Sequence, residues 1–169
     1  MRLAWQLGRL GLGALGALGA ALSILLALGA ADPPRHHRRF AELEALAGSL
    51  QLPGASFTLI ASGMWRADAS PLDSWHLILA DADERPQFTL TIHGDASFSL
   101  APLQPDSVGF IHLRQPPASN EIWLYVTPSE AMLYLNRELA WRGRLSPSVY
   151  VQLDGAAALR NAALRIYIP

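Results

Sequence analysis

An uninterrupted apolar run near the N-terminus constrains this chain more than any other feature of its sequence. Residues 10–31 form a stretch of 22 amino acids without a charge, in which Ser23 is the only strongly polar side chain. At about 1.5 Å per residue, a helix of this length spans roughly 33 Å, which matches the hydrocarbon core of a bilayer. The sequence Asp-Pro-Pro at residues 32–34 then stops the helix, because proline cannot continue it. The run predicts a single transmembrane helix, with residues 1–31 as a membrane anchor.

A cleaved signal peptide is the alternative for this segment. Arg2 and Arg9 would form its basic start, and residues 27–29 or 29–31 would supply a cleavage site between small side chains. The apolar run is longer than the core of an ordinary signal peptide, which favours a retained anchor. Basic residues on the two sides nearly balance, so the signal-like start decides the orientation. We expect a cytoplasmic N-terminus and an extracytoplasmic main domain.

Small side chains repeat every four residues along the predicted membrane helix. The repeats are Gly13, Ala17 and Ala21, then Gly16 and Ala20, then Gly19 and Ser23. Such stripes let helices approach closely in lipid, where packing rather than the hydrophobic effect drives association. We therefore expect the helix to contact membrane lipids and to pack against other membrane-protein subunits. The alternative is that glycine, alanine and leucine are simply common in anchors of this kind.

Residues 32–54 are predicted to connect the anchor to the main domain. Apolar side chains recur here at helical spacing, at Phe40, Leu43, Leu46, Ala47 and Leu50. This spacing is typical of a short amphipathic helix. The basic residues at the start of the segment would then contact lipid phosphates, and a solvated linker is the equal alternative.

From residue 55 onwards the pattern changes to strict alternation of apolar and polar side chains. Residues 57–59, 88–92 and 97–100 alternate in the way that half-buried strands do. Further strand candidates are residues 75–80, 108–113, 122–126, 132–136, 149–153 and 163–168. Turn-forming residues separate these segments. About nine or ten short strands at this spacing predict an all-β fold in which two antiparallel sheets pack as a sandwich.

Several segments of residues 55–169 resemble one family of β-sandwich domains. Residues 133–139 read LYLNREL and resemble the hairpin of laminin G-like and concanavalin A-like jelly rolls. Residues 120–126, 75–100 and 162–167 are similar to further strands of that group, whose nearest members are bacterial extracellular 3-keto-disaccharide hydrolase-like domains. The resemblance implies a jelly-roll sandwich over residues 55–169. Arg137 departs from the pattern, since glycine is typical in this turn.

Composition excludes several kinds of chemistry. All 13 basic residues are arginine and there is no cysteine, so Schiff-base lysines, cysteine nucleophiles and thiolate metal sites are absent from the sequence. A net charge of −1 gives no electrostatic basis for binding nucleic acid. The sequence also lacks nucleophile-elbow, zinc-protease, calcium-loop and phosphate-loop motifs.

The remaining polar residues do not form a recognisable catalytic or metal-binding pattern. The acids with the best positions for a glycosidase pair fall on outward or turn positions: Glu121, Glu130 and Glu138. The histidines of the main domain lie on separate predicted strands without ligand spacing: His76, His93 and His112. The acidic loops fit turn formation better than calcium binding: Asp81, Asp83 and Asp95. We expect neither an enzyme nor a cofactor nor a metal site.

Aromatic side chains offer the clearest candidate site. In residues 122–126, Ile122, Leu124 and Val126 share one face of the strand, which leaves Trp123 and Tyr125 on the other. We expect the same outer surface to continue through Tyr134, Tyr150 and Tyr167. Tryptophan and tyrosine at such positions are typical of protein interfaces and of sugar-stacking platforms. Alternatively, loops or the linker cover this face.

These features together favour a non-catalytic, single-pass membrane protein. It would be an accessory or assembly subunit of a larger membrane complex, such as an energy-transducing one, whose extracytoplasmic β-sandwich docks on other subunits. The alternative is a membrane-tethered carbohydrate-binding module. A glycoside-processing enzyme is a weaker third hypothesis, because it needs carboxylates that converge on one sheet.

Overall fold

A computed structural model describes residues 38–43, 48–155 and 157–168 of the chain. The predicted membrane helix of residues 10–31 and its small-residue stripes lie outside the described residues. Across the three described ranges, no helix is long and apolar enough to cross a membrane.

Twelve strands make up the secondary structure of the described residues. They are β1 (Arg38–Leu43), β2 (Ser49–Gln51), β3 (Phe57–Trp65), β4 (Ser74–Ala80), β5 (Pro86–His93), β6 (Ser97–Ala101), β7 (Gln104–Gly109), β8 (Ser119–Val126), β9 (Ala131–Leu135), β10 (Glu138–Gly143), β11 (Tyr150–Asp154) and β12 (Leu159–Ile168). Sheet A has the order β1-β12-β3-β8-β9-β10, and sheet B has the order β2-β11-β4-β5-β6-β7. The strand pairs are antiparallel. The predicted all-β, two-sheet antiparallel architecture is confirmed.

The inner faces of the two sheets form one hydrophobic core. Leu59 and Ala61 of β3, and Leu77 and Leu90 of sheet B, are fully buried within it. Two tryptophans complete the core: Trp65 and Trp75 are about 1% and 0% exposed. Burial of side chains of this size from both sheets supplies most of the free energy that holds a sandwich together.

Gly63 of β3 lies directly against the Trp75 ring in the core. A Cβ atom at this position would lie 3.2 Å from the Trp75 indole and 2.9 Å from Leu159 Cδ1. The glycine therefore lets the large Trp75 ring pack directly against the backbone of sheet A. This close approach explains how a tryptophan from sheet B fits into the space between the sheets.

The segment of residues 32–54 differs from its predicted structure. Residues 38–43 and 49–51 are strands, so the amphipathic-helix hypothesis is wrong for these residues. β1 pairs with β12 and β2 pairs with β11. Hydrogen bonding to strands far along the chain outweighs the helical spacing of the apolar residues, because local propensity is a weak preference. The sandwich therefore takes in strands that precede residue 55.

The predicted strand at residues 108–113 is also displaced. β7 ends at Gly109, and the chain then forms a loop that returns towards sheet A. Phe110 packs edge-on against Phe98 with ring centroids 5.8 Å apart, and Leu113 is buried at 5% exposure. These apolar side chains close the end of the sandwich, which is why a strand-like composition occurs in a loop.

The β9–β10 hairpin turns through two residues with left-handed backbone conformations. Asn136 has φ 50° and Arg137 has φ 74°. Two positive φ angles define the type I′ turn that suits the twist of a hairpin. Arg137 thus adopts the conformation for which glycine is typical, at a cost of roughly 1 kcal/mol relative to glycine.

Candidate docking face on sheet A

Two rows of side chains cross the outer face of sheet A. They alternate along their strands with the buried residues Leu59, Leu124 and Leu133, so they point away from the core. The first row, in strand order from β3 to β10, is Ile60, Trp123, Tyr134 and Leu139. The second row, from β12 to β9, is Tyr167, Thr58, Tyr125 and Met132. We call these eight residues the aromatic face.

The outer face of sheet B has a different composition. One of its rows runs through Gln152, Ile78, Thr89 and Ala101, and the next runs through Asp154, His76, Thr91 and Ser99. Hydroxyl, amide, imidazole and carboxylate groups thus dominate this face. A sheet that packs on one side only is expected to be polar on the other. Sheet B follows this expectation, whereas the aromatic face of sheet A departs from it.

Trp123 lies at the centre of the aromatic face and is largely buried, with 4% of its surface exposed. Its Nε1 donates a hydrogen bond of 2.5 Å to Glu121 Oε1. The guanidinium carbon of Arg137 lies 6.0 Å from the centre of the indole ring, within range of a cation–π contact. Arg137 Nε also lies 3.6 Å from Glu121 Oε1. These two side chains contact the tryptophan, which at 4% exposure offers no open ring face on which a sugar could stack.

The tyrosines supply the accessible part of the aromatic face. Tyr125, Tyr134 and Tyr167 are partly exposed, and the Tyr134 hydroxyl donates to Met132 Sδ at 3.7 Å. Leu139 at the β10 edge is 50% exposed. The tyrosine side chains combine an apolar ring with a polar hydroxyl, a combination that is enriched in the centres of protein interfaces.

Tyr150 does not belong to this surface. It lies on β11, where it pairs with Ala80 of β4 and Gln51 of β2 in sheet B. The prediction that Tyr150 extends the surface of Trp123 and Tyr125 is therefore wrong, because β11 joins the opposite sheet. The alternation along a strand predicts which residues share a face, but it does not identify the sheet.

Ion pairs border the aromatic face at both edges of sheet A. On the β1 side, Glu42 accepts hydrogen bonds from Arg165 at 2.6 Å and from Arg39 at 2.5 Å. The hydrogen bond from Arg165 is the main reason that the pKa of Glu42 is lowered from its ordinary value. On the β10 side, Arg142 pairs with Glu130. These exposed pairs contribute little to stability, but they place charge around an apolar centre, as at the rim of an interface.

Two asparagines connect the loop after β7 to the start of the aromatic face. Asn120 is 1% exposed; it accepts a hydrogen bond from the Arg114 amide and donates one to the Arg114 carbonyl, each 2.8 Å long. Asn136 Nδ2 donates to Asn120 Oδ1 at 2.8 Å and to the His112 carbonyl at 2.6 Å. Asn136 Oδ1 also accepts from the Glu121 amide at 2.8 Å. This amide network fixes the strand position from which Glu121 and Trp123 project.

The other candidate polar residues remain apart. His76 and His93 lie on the outer face of sheet B, whereas His112 lies in the loop with its ring 5.4 Å from Phe110. Across the part of the chain that the structure describes, no three histidine or acidic side chains come together in a way that could hold a metal ion.

The acidic loop residues stabilise their own turns. Asp81 Oδ1 accepts hydrogen bonds from the amides of Asp83 and Arg85, each 2.9 Å long. Asp95 Oδ1 accepts from the amide and the hydroxyl of Ser97, at 3.0 and 2.5 Å. The hydroxyl hydrogen bond from Ser97 is the main cause that lowers the pKa of Asp95. The carboxylates of Asp81 and Asp95 therefore stabilise the turns in which they lie.

Comparisons with known proteins identify the fold of the sandwich. No family model and no curated protein matches the chain. Among solved structures, a galectin from Caenorhabditis elegans has a TM-score of 0.57 at 8% identity, over 75% of this chain and 96% of the galectin. An exo-inulinase from Aspergillus awamori has a TM-score of 0.52 at 15% identity, over 77% of this chain and 28% of the enzyme. A variant of human galectin-16 has a TM-score of 0.50 at 12% identity, over 78% of this chain and 98% of the galectin. At these identities the likeness shows the fold alone, which is a concanavalin A-like jelly-roll β-sandwich.

Proposed function

We propose that the chain is a non-catalytic accessory subunit of a membrane protein complex, anchored by residues 10–31 and docked through its β-sandwich. The observation that carries the proposal is the contrast between the two sheets. Polar side chains dominate the outer rows of sheet B, whereas the outer rows of sheet A consist largely of aromatic and apolar residues, among them Tyr125, Tyr134 and Met132. An apolar outer face within a charged rim fits the surface of another subunit.

The anchor and the face act together in this proposal. Small residues such as Gly13, Gly16 and Gly19 let the helix pack against a membrane helix of the complex. Tethering in the bilayer raises the effective concentration of the sandwich beside its partner, so a modest face is sufficient for stable association. In this proposal the sandwich lies on the extracytoplasmic side, as the signal-like start of the sequence indicates.

Site-specific photocrosslinking in native membranes tests this function. A photoreactive phenylalanine derivative replaces Tyr125 or Tyr134 in the full chain, and Thr89 or Gln152 on sheet B serves as the matched control. We expect one integral membrane protein to be crosslinked from both positions of sheet A and from neither control. Crosslinking of the same proteins from both sheets, or of none from sheet A, would contradict the proposal.

A membrane-tethered carbohydrate-binding module is the second candidate. It is supported by a polar cleft of about 370 Å³ beside Trp123, into which Arg114, Glu121 and Arg137 project. A glycan array probed with the wild-type chain and with Arg114→Ala tests it. Binding that the variant loses would favour the module, whereas no binding by the wild-type chain excludes it.

A further inference from the structure

A separate cavity of about 300 Å³ opens between the two sheets at one end of the sandwich. Its floor consists of core side chains, since Phe57 and Leu79 are 3% and 1% exposed. Val126 and Leu145 form its walls, and Pro147 lies at its rim. None of the described residues that line it carries a charge. The hydroxyl groups of Thr127, Ser146 and Ser148 also belong to the lining, so the cavity is a mostly apolar recess that leads into the core.

The cavity lies at the end where the chain enters the sandwich. Phe57 pairs with Val126 at this end, and Thr58 pairs with Tyr167 beside them. Arg38, the first residue of β1, pairs with Ile168 at the same end of β12. Six residues, 32–37, separate Arg38 from the predicted membrane helix along the chain, and the seven steps from residue 31 to residue 38 span at most about 25 Å when extended. The proposed anchor is thus separated from the cavity end of the sandwich by only a short stretch of sequence.

We propose that the cavity binds a single alkyl chain of a lipid or fatty amphiphile. The choice of ligand rests on the proposed membrane anchor, whereas the cavity is formed by the described residues alone and does not depend on that proposal. Each methylene group that enters an apolar site strengthens binding by a factor of roughly four, so an alkyl chain suits these walls. A volume of about 300 Å³ is at the lower limit for ligand pockets, which fits one chain rather than a whole lipid. Because no described lining residue carries a charge, a charged headgroup would remain outside the cavity.

Photolabelling of the full chain in nanodiscs tests the proposal. The discs contain phosphatidylcholine with a diazirine near the end of one acyl chain, and peptide mass spectrometry locates the label after irradiation. We expect label on peptides that contain Val126 and Leu145. Leu145→Trp fills the cavity and should lower this labelling at least about fivefold. Leu72→Trp is the matched control, because Leu72 is 93% exposed on a distant loop and should leave the labelling unchanged.

A second variant and a second photoreactive lipid complete the experiment. Ser146→Trp narrows the mouth from an exposed position, so it replaces Leu145→Trp if that variant fails to fold. Discs with a photoreactive fatty alcohol in place of the labelled phospholipid show which source supplies the chain. Label on residues 10–31 without label at the cavity overturns the lipid site and leaves the anchor intact. Cavity label by the fatty alcohol, with none on residues 10–31, supports the site and contradicts the proposed anchor.

Discussion

Asn120→Ala is the substitution that most sharply tests how sheet A is held in place. The side chain is 1% exposed and takes part in three hydrogen bonds of 2.8 Å, two with the Arg114 backbone and one with Asn136. A neutral buried hydrogen bond contributes about 1 kcal/mol net. Removal of all three should therefore lower the free energy of unfolding by about 3 kcal/mol.

Asn120→Asp separates the loss of a donor from the loss of the side chain. The substitution keeps the shape but removes the amide donor to the Arg114 carbonyl and places a carboxylate at a buried position. At neutral pH it should cost at least as much as Asn120→Ala, because burial disfavours an ionised carboxylate and the Arg114 carbonyl loses its donor. Acid should recover part of the loss, since a protonated carboxyl group can donate to the carbonyl.

Urea denaturation of the full chain in nanodiscs, followed by tryptophan fluorescence, measures these effects. Asn161→Ala is the matched control, because Asn161 is exposed on β12. The control should change the free energy of unfolding by less than about 0.5 kcal/mol. A loss of less than about 1 kcal/mol for Asn120→Ala would show that the amide network does not hold the loop after β7.

Two further substitutions probe the turn and the outer face of sheet B. Arg137→Gly relieves the strain of a positive φ of 74° and should raise the free energy of unfolding by roughly 1 kcal/mol, as measured by urea denaturation. A loss of stability would show that the contacts of Arg137 with Glu121 and Trp123 outweigh the strain. Burial lowers the pKa of His76 from 6.5, while Asp154 partly offsets this effect, so the folded state binds this proton less readily than the unfolded chain. The contribution of neutral His76 to the free energy of unfolding is therefore fully present above about pH 6.5, and it is lost as the pH falls through the pKa of His76 in the folded state. In His76→Gln, the urea midpoint should change less with pH between about pH 5 and 7 than it does in the wild-type chain. An unchanged pH profile would contradict this assignment.

Local alternation explains what was predictable from the sequence. In β5, every second residue from Phe88 to Ile92 is apolar, so the pattern directly reports which side chains face the core. The all-β class and the facing of Ile122, Trp123 and Leu124 followed from this pattern.

Long-range pairing explains what was missed. β1 and β2 are strands only because they hydrogen-bond to β12 and β11, which lie about a hundred residues away, and their own apolar spacing is helical. Tyr150 was assigned to the wrong sheet for the same reason, since strand order is not a local property. No local pattern in the sequence marks Asn120 and Asn136 as partners, because only the folded hairpin brings their amides together.

Gentle solubilisation of native membranes tests the central proposal most directly. The wild-type chain, Tyr125→Ser with Tyr134→Ser, and the sheet B control Thr89→Ala are compared by gel filtration and identification of co-purifying subunits. Loss of two interface tyrosines costs at least about 2 kcal/mol, which weakens association roughly 30-fold. We expect the wild-type chain and the control to elute in a larger complex with the same membrane subunits, and the tyrosine variant to elute without them. A wild-type chain that elutes as a lone monomer would contradict the account.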